Sequence, residues 1–193
     1  MSTPKLATSR QLVKTGHDVR LGQLLSSLFL AEALAPSKWI YIVSPWTRNI
    51  DVLDNRSGSL HWLDEDWPMS HVRLLDWVKT VIRGGACVQF VDTESDQEAA
   101  SVFKEEVALL RRELDTEAPG RLREIKMTGS LQATGGNHLK GIFSERFALT
   151  GSMNISTPGL TMHTEHIAVH LPADDGYKQL IPQIHQLWGP LGD

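Results

Sequence analysis

Residues Asn137 to Asn154, NHLKGIFSERFALTGSMN, carry the side chains best suited to chemistry in this chain. His138 and Lys140 stand two apart. In a strand that spacing puts both on one face. An imidazole beside a fixed cation suits a phosphate. The imidazole attacks phosphorus or moves a proton, and the ammonium neutralises non-bridging oxygens. Alone, the two residues also describe an ordinary half-exposed strand pair. Gly151, Ser152, Asn154 and, further on, Glu165 supply polar groups in register with them, and that set favours a site.

The elements that must position this stretch read as follows. Leu21 to Ala35 is apolar on a helical period, and Pro36 ends it. Trp39 to Val43 is an uncharged β-branched and aromatic run, expected as a buried strand. Ser44-Pro45-Trp46 stops it. Ligand sites of α/β sheets lie at strand carboxyl ends, which puts Trp46 and Arg48 near a site; a loop aromatic and a solvated arginine are the alternative. Asn49 to Ser70 reads as a long irregular segment. Its Trp62 and Trp67 suit a dimer contact, a lid or simple anchoring. Val72 to Ile82 is an amphipathic helix capped by Gly84-Gly85. Ala86 to Val91 is a second strand, and Cys87 within it is expected to be a buried, inert thiol. Asp96 to Leu114 is a helix with Val102, Phe103, Val107, Leu110 and Leu114 on its apolar face. Leu122 to Met127 is an edge-like strand. The motif itself reads as a hairpin, His138 to Phe143 and Phe147 to Thr150, turning at Ser144-Glu145-Arg146. Thr161 to Leu171 is a further strand and Tyr177 to Leu187 a closing helix despite Pro182. The pattern is that of an α/β protein with a mixed sheet.

His138-Leu139-Lys140, then four residues and the acidic Glu145, and Gly151-Ser152-Met153-Asn154 together resemble the phospholipase D superfamily, whose pattern is His-x-Lys-x4-Asp followed by Gly-Ser-x-Asn. Ile40 to Trp46 looks like that family's first strand and Ser-Pro-aromatic turn. His163-Thr164-Glu165 sits where the family has Asn-x-Glu. The resemblance covers roughly residues 20 to 190 and departs from the pattern at Glu145 and His163. It implies an α/β/α sandwich around a central mixed sheet. It also implies that His138 is the nucleophile of a phosphohistidine intermediate, that Lys140 and Asn154 bind non-bridging oxygens, that Ser152 hydrogen-bonds at the site and that Glu165 orients His138. The acidic position supports the fold in that family, so Glu145 bears on geometry. One motif copy implies a homodimer with a shared site, and no metal or cofactor is implied.

The chain has 193 residues with a net charge of -4, so it lacks a global basic footprint. Its single cysteine excludes an intramolecular disulfide and a cysteine-rich zinc site. His163, His166 and His170 invite a zinc reading, but their spacing suits a strand poorly. Residues 1–16 are expected as a mobile tail and 17–193 as a single domain. No apolar segment reaches membrane-spanning length and no signal-peptide run is present, so a cytoplasmic protein follows by default. The leading expectation is a metal-independent DNA nuclease, similar to the phospholipase-D-like component of bacterial DNA-modification and defence gene clusters, with protein partners that deliver substrate. The alternatives are a catalytically silent subunit of such a complex and a phospholipid-processing enzyme.

Overall fold

A computed structural model describes residues 10–14, 19–93, 98–127, 139–156 and 165–189. The centre of the fold is β2 (Trp39–Val43), every residue of which is buried. Its alternation explains why. Ile40 and Ile42 enter a large core on one face, while Trp39, Tyr41 and Val43 enter a smaller core on the other. A strand covered on both faces can be apolar throughout.

β2 pairs in parallel with β5 (Cys87–Thr93), which pairs in parallel with the edge strand β6 (Leu122–Met127). On its other side β2 pairs antiparallel with β7 (Gly141–Ser144), then come β8 (Ala148–Gly151), β9 (Glu165–His170) and β1 (Arg10–Lys14), all antiparallel. The result is a seven-stranded mixed sheet. Helices α1 (Val19–Leu34), α2 (Leu74–Arg83) and α3 (Glu98–Leu114) contribute to the larger core through Leu21, Phe29, Leu74, Val78, Phe103 and Val107. Helix α4 (Asp175–Trp188) covers the opposite face with Ile181, Ile184 and Trp188. This is the expected α/β/α sandwich with a mixed sheet. Cys87 is buried and free, as expected.

Several expectations need correction. The tail expected over residues 1–16 contains a strand, β1, whose backbone groups are satisfied by β9 (Leu12 opposite Ile167). The segment read as irregular holds β3 (Asp51–Asp54), which pairs with β4 (His71–Arg73) in a separate two-stranded sheet. Between them the loop packs on itself: Asn55 is buried, its Nδ2 donates to Pro68 O at 3.0 Å and its Oδ1 accepts from Leu60 N–H at 2.9 Å. Of the two loop tryptophans, Trp67 is the anchor. It is buried and its indole N–H donates to Thr80 Oγ1 at 2.8 Å, whereas Trp62 is 70% exposed. Val102 of α3 is exposed, because the packing face of that helix runs through Phe103, Val107, Leu110 and Leu114. The described part of the motif hairpin begins as a strand at Gly141, with Leu139 and Lys140 just before it; His138 lies outside the described residues, as do Thr161 to Thr164.

A buried carboxylate fixes one end of β7. Glu32 of α1 is fully buried, and it accepts hydrogen bonds from Ser37 N–H at 2.8 Å, Ser37 Oγ–H at 2.9 Å and Ser144 Oγ–H at 2.6 Å. Three donors satisfy a charge that would otherwise be costly to bury. We expect Glu32→Ala to lower stability by about 3 kcal/mol in urea unfolding, because it strands those donors, and Glu32→Gln to cost clearly less. Equal losses would show that the carboxylate's hydrogen bonds are not what matters.

On the other face, Tyr41 is fully buried and donates its hydroxyl proton to Gly189 O. Burial, partly opposed by Arg123, pushes its phenol up from 10.0 to about 12. The unfolded chain therefore loses this proton first, and the stability contributed below pH 10 is lost as pH rises from 10 through 12. Denaturation at pH 9 and pH 11 should show the first part of that loss, about 1 kcal/mol, and Tyr41→Phe should flatten the slope.

Candidate active site

Strand register alone gathers the motif. Val43 lies opposite Gly141, Gly141 opposite Thr150 and Gly151 opposite Ile167. One residue beyond each of these pairs, Ser44, Lys140, Ser152 and His166 therefore meet along the edge of the sheet at the carboxyl end of β2. Glu165 is the first residue of β9, beside His166, with its backbone opposite Lys14.

The contacts are specific. Lys140 is half-buried, and its Nζ donates to Ser152 O at 3.2 Å. Its own carbonyl accepts from Gly151 N–H at 3.3 Å. Ser152 N–H donates to His166 O at 3.1 Å, and His166 N–H returns a bond to Ser152 Oγ at 3.2 Å. The motif glycines are demanded by space. A Cβ on Gly141 would stand 2.0 Å from Leu149 O, and one on Gly151 would stand 2.1 Å from His166 O. Only glycine lets the strands approach this closely beside Lys140 and Ser152.

Asn154 is 8% exposed, between the buried Met153 and Ile155, and its Oδ1 has no hydrogen-bond partner among the described residues. Buried carboxamides are normally satisfied, and the two ends of the group can exchange places by a flip. Asn154 thus keeps an open hydrogen-bonding position two residues beyond Ser152, whose carbonyl receives the Lys140 ammonium. A cation and an open carboxamide brought to the same end of the sheet are groups suited to an oxyanion, the one supplying charge and the other direction.

Sequence reasoning missed the residue that holds Asn154 in place. Ser44 is buried at the end of β2, and its Oγ accepts from Ile155 N–H at 3.1 Å and Trp46 N–H at 3.3 Å. Arg48 N–H then donates to Ile155 O at 2.8 Å. Both backbone groups of the residue after Asn154 are thereby bound by the turn after β2. The Ser-Pro-aromatic run was a visible signal, but it marks a turn and not what the hydroxyl binds. Arg48 itself directs Nη1 to Thr47 O at 2.9 Å.

Glu145 lies at the opposite end of β7. Its Oε2 accepts from Lys38 N–H at 2.8 Å, just before β2 begins. The acidic position of the motif thus braces the entry to the central strand and lies away from the lysine and asparagine. No set of three His, Cys, Asp or Glu that could hold a metal occurs among the described residues. His166 is exposed and His170 half-buried, with His170 packed against Gly176; His163 is outside the described residues.

No family model matches the sequence, and no curated protein does. Solved structures do share the fold. The chain is similar to Nuc from Salmonella typhimurium, described as a phospholipase D family member, with 14% identity, a TM-score of 0.53, and 93% of this chain and 95% of that one covered. It is similar to NucT from Helicobacter pylori at 14% identity and a TM-score of 0.51, covering 96% and 98%. It is also similar to phosphatidylserine synthase from Haemophilus influenzae, with 17% identity and a TM-score of 0.54 over 96% of this chain, which spans 39% of that protein's length.

Ser44→Ala leaves the buried Ile155 N–H and the partly buried Trp46 N–H without an acceptor. It should lower stability by about 2 kcal/mol and speed hydrogen exchange at the Ile155 amide more than at β2 amides. Unchanged exchange at Ile155 would remove Ser44 from this role.

Proposed function

On the scaffold of the phospholipase D fold, we propose that this chain is a metal-independent phosphodiesterase that cleaves DNA. The observation that carries this reading is the contact of Lys140 with Ser152 at one end of the sheet, on the chain segment that follows His138 and leads to the open Asn154 carboxamide. The fold shared with Nuc and NucT supports it.

In this reading His138 attacks phosphorus and forms a P–N bond as the bond to the leaving oxygen breaks. His138 of a second copy of the chain gives that oxygen its proton. The same imidazole then takes a proton from water, whose oxygen attacks phosphorus and releases His138. One ring must start neutral and the other protonated, and paired sites divide a proton in this way. Lys140 and Asn154 hold the non-bridging oxygens while charge shifts among them. Ser152 fixes the carbonyl to which Lys140 donates, and Glu165 orients His138. The net charge of -4 gives the chain little phosphate attraction of its own, so a partner protein of a DNA-modification or defence system delivers the substrate. No helix among the described residues is long and apolar enough to cross a membrane.

Purified protein should nick plasmid DNA in excess EDTA, and His138→Ala should reduce the rate at least about a thousandfold. Acid quenching should trap a phosphate on His138 that mass spectrometry locates. Chelation that stops the reaction would defeat the mechanism. Turnover of phosphatidylcholine but not of DNA would point to a phospholipid enzyme, and turnover of neither to a silent subunit. Full activity from a strict monomer would rule out the shared site.

A further inference from the structure

Trp46 is 40% exposed, whereas Trp39, Trp67, Trp77 and Trp188 are buried. No aromatic ring packs against it among the described residues. Its backbone is nonetheless fixed: Trp46 N–H and Ile155 N–H converge on the same buried oxygen, Ser44 Oγ, at 3.3 and 3.1 Å. The indole therefore springs from the same hydrogen-bonded turn that binds the residue after Asn154, its backbone N–H sharing one acceptor with the Ile155 N–H. Leaving a large apolar ring partly in water stabilises nothing in the free protein. It does offer a flat surface, on a backbone that needs no ordering, to a group attached to a bound phosphate.

We propose that Trp46 stacks against an unpaired nucleobase next to the phosphate held by Lys140 and Asn154, so that the favoured substrate is single-stranded nucleic acid. This rests on the phosphodiesterase reading above and sharpens its substrate. Two arguments select a base. Stacking on an aromatic ring is insensitive to charge, and it supplies affinity that a chain of net charge -4 cannot draw from phosphates. A duplex keeps its base faces covered by neighbouring pairs, so a single exposed platform selects strands whose bases are free.

The test is binding of a fluorescein-labelled single-stranded DNA oligonucleotide, followed by anisotropy with His138→Ala protein, which does not turn the ligand over. Adding Trp46→Ala should weaken binding about tenfold or more. The same substitution should change binding of an equal-length abasic oligonucleotide less than twofold, and Trp46→Phe should restore most of the loss. Equal weakening on base-bearing and abasic strands would overturn the proposal, as would tighter, Trp46-dependent binding of duplex than of single strand. Cleavage by the unmodified protein is scored separately. A failure to cleave with Trp46-dependent binding intact would sink the phosphodiesterase reading alone.

Discussion

Ser44 Oγ is the smallest part of this structure on which most of the rest depends. It sits at the end of the fully buried β2 and accepts two backbone N–H groups, from its own turn and from the segment after β8. Without an acceptor there, Ile155 would carry a buried unpaired donor, which is strongly disfavoured. The hydroxyl thus converts the central strand's position, fixed by two hydrophobic cores, into a position for Asn154. The cores set where β2 lies, and a single oxygen passes that precision to the site.

β7 is held at both ends by polar networks of different character. At Ser144, the buried Glu32 carboxylate gathers donors from the chain before β2 and from β7 itself. Glu145 adds a bond to Lys38 N–H at the same end. At the other end Lys140 bonds to Gly151 and Ser152 through backbone and side chain together. The first network is carboxylate-based and closed, with its acceptors occupied. The second is cationic and keeps a carboxamide atom open. That contrast separates the end that braces the entry to the central strand from the end where the motif's lysine and serine meet.

Much of this was legible in the sequence, for physical reasons. β2 showed itself because a strand covered on both faces is apolar throughout. The hairpin showed itself because the motif's glycines and its Ser-Glu-Arg turn punctuate it. β1 was not legible, since its hydrogen-bond partners lie in β9 at the far end of the chain and its local sequence, RQLVK, carries no marked alternation. β3 and β4 were missed because each is short and the loop between them is stabilised by its own side chains, Asn55 above all. Trp67 and Trp62 looked alike in sequence; only the presence of Thr80 opposite one of them distinguishes an anchor from an exposed ring. The partner of Ser44 is more than a hundred residues away, beyond any local pattern.

The brevity of β7, Gly141 to Ser144, has a consequence for how this protein can vary. Its two ends are tethered to separate anchors, and its side chains alternate faces. A point substitution at Ile142 or Phe143 alters packing, whereas Gly141 is fixed by its close approach to Leu149 O and Ser144 by its bond to Glu32. A one-residue insertion or deletion would invert every following side chain across the sheet, and it would carry either Lys140 or Ser144 away from its anchor. The segment is therefore tolerant in composition only at its two central residues and rigid in length. Divergence among chains of this kind should leave its spacing untouched while its two central residues drift.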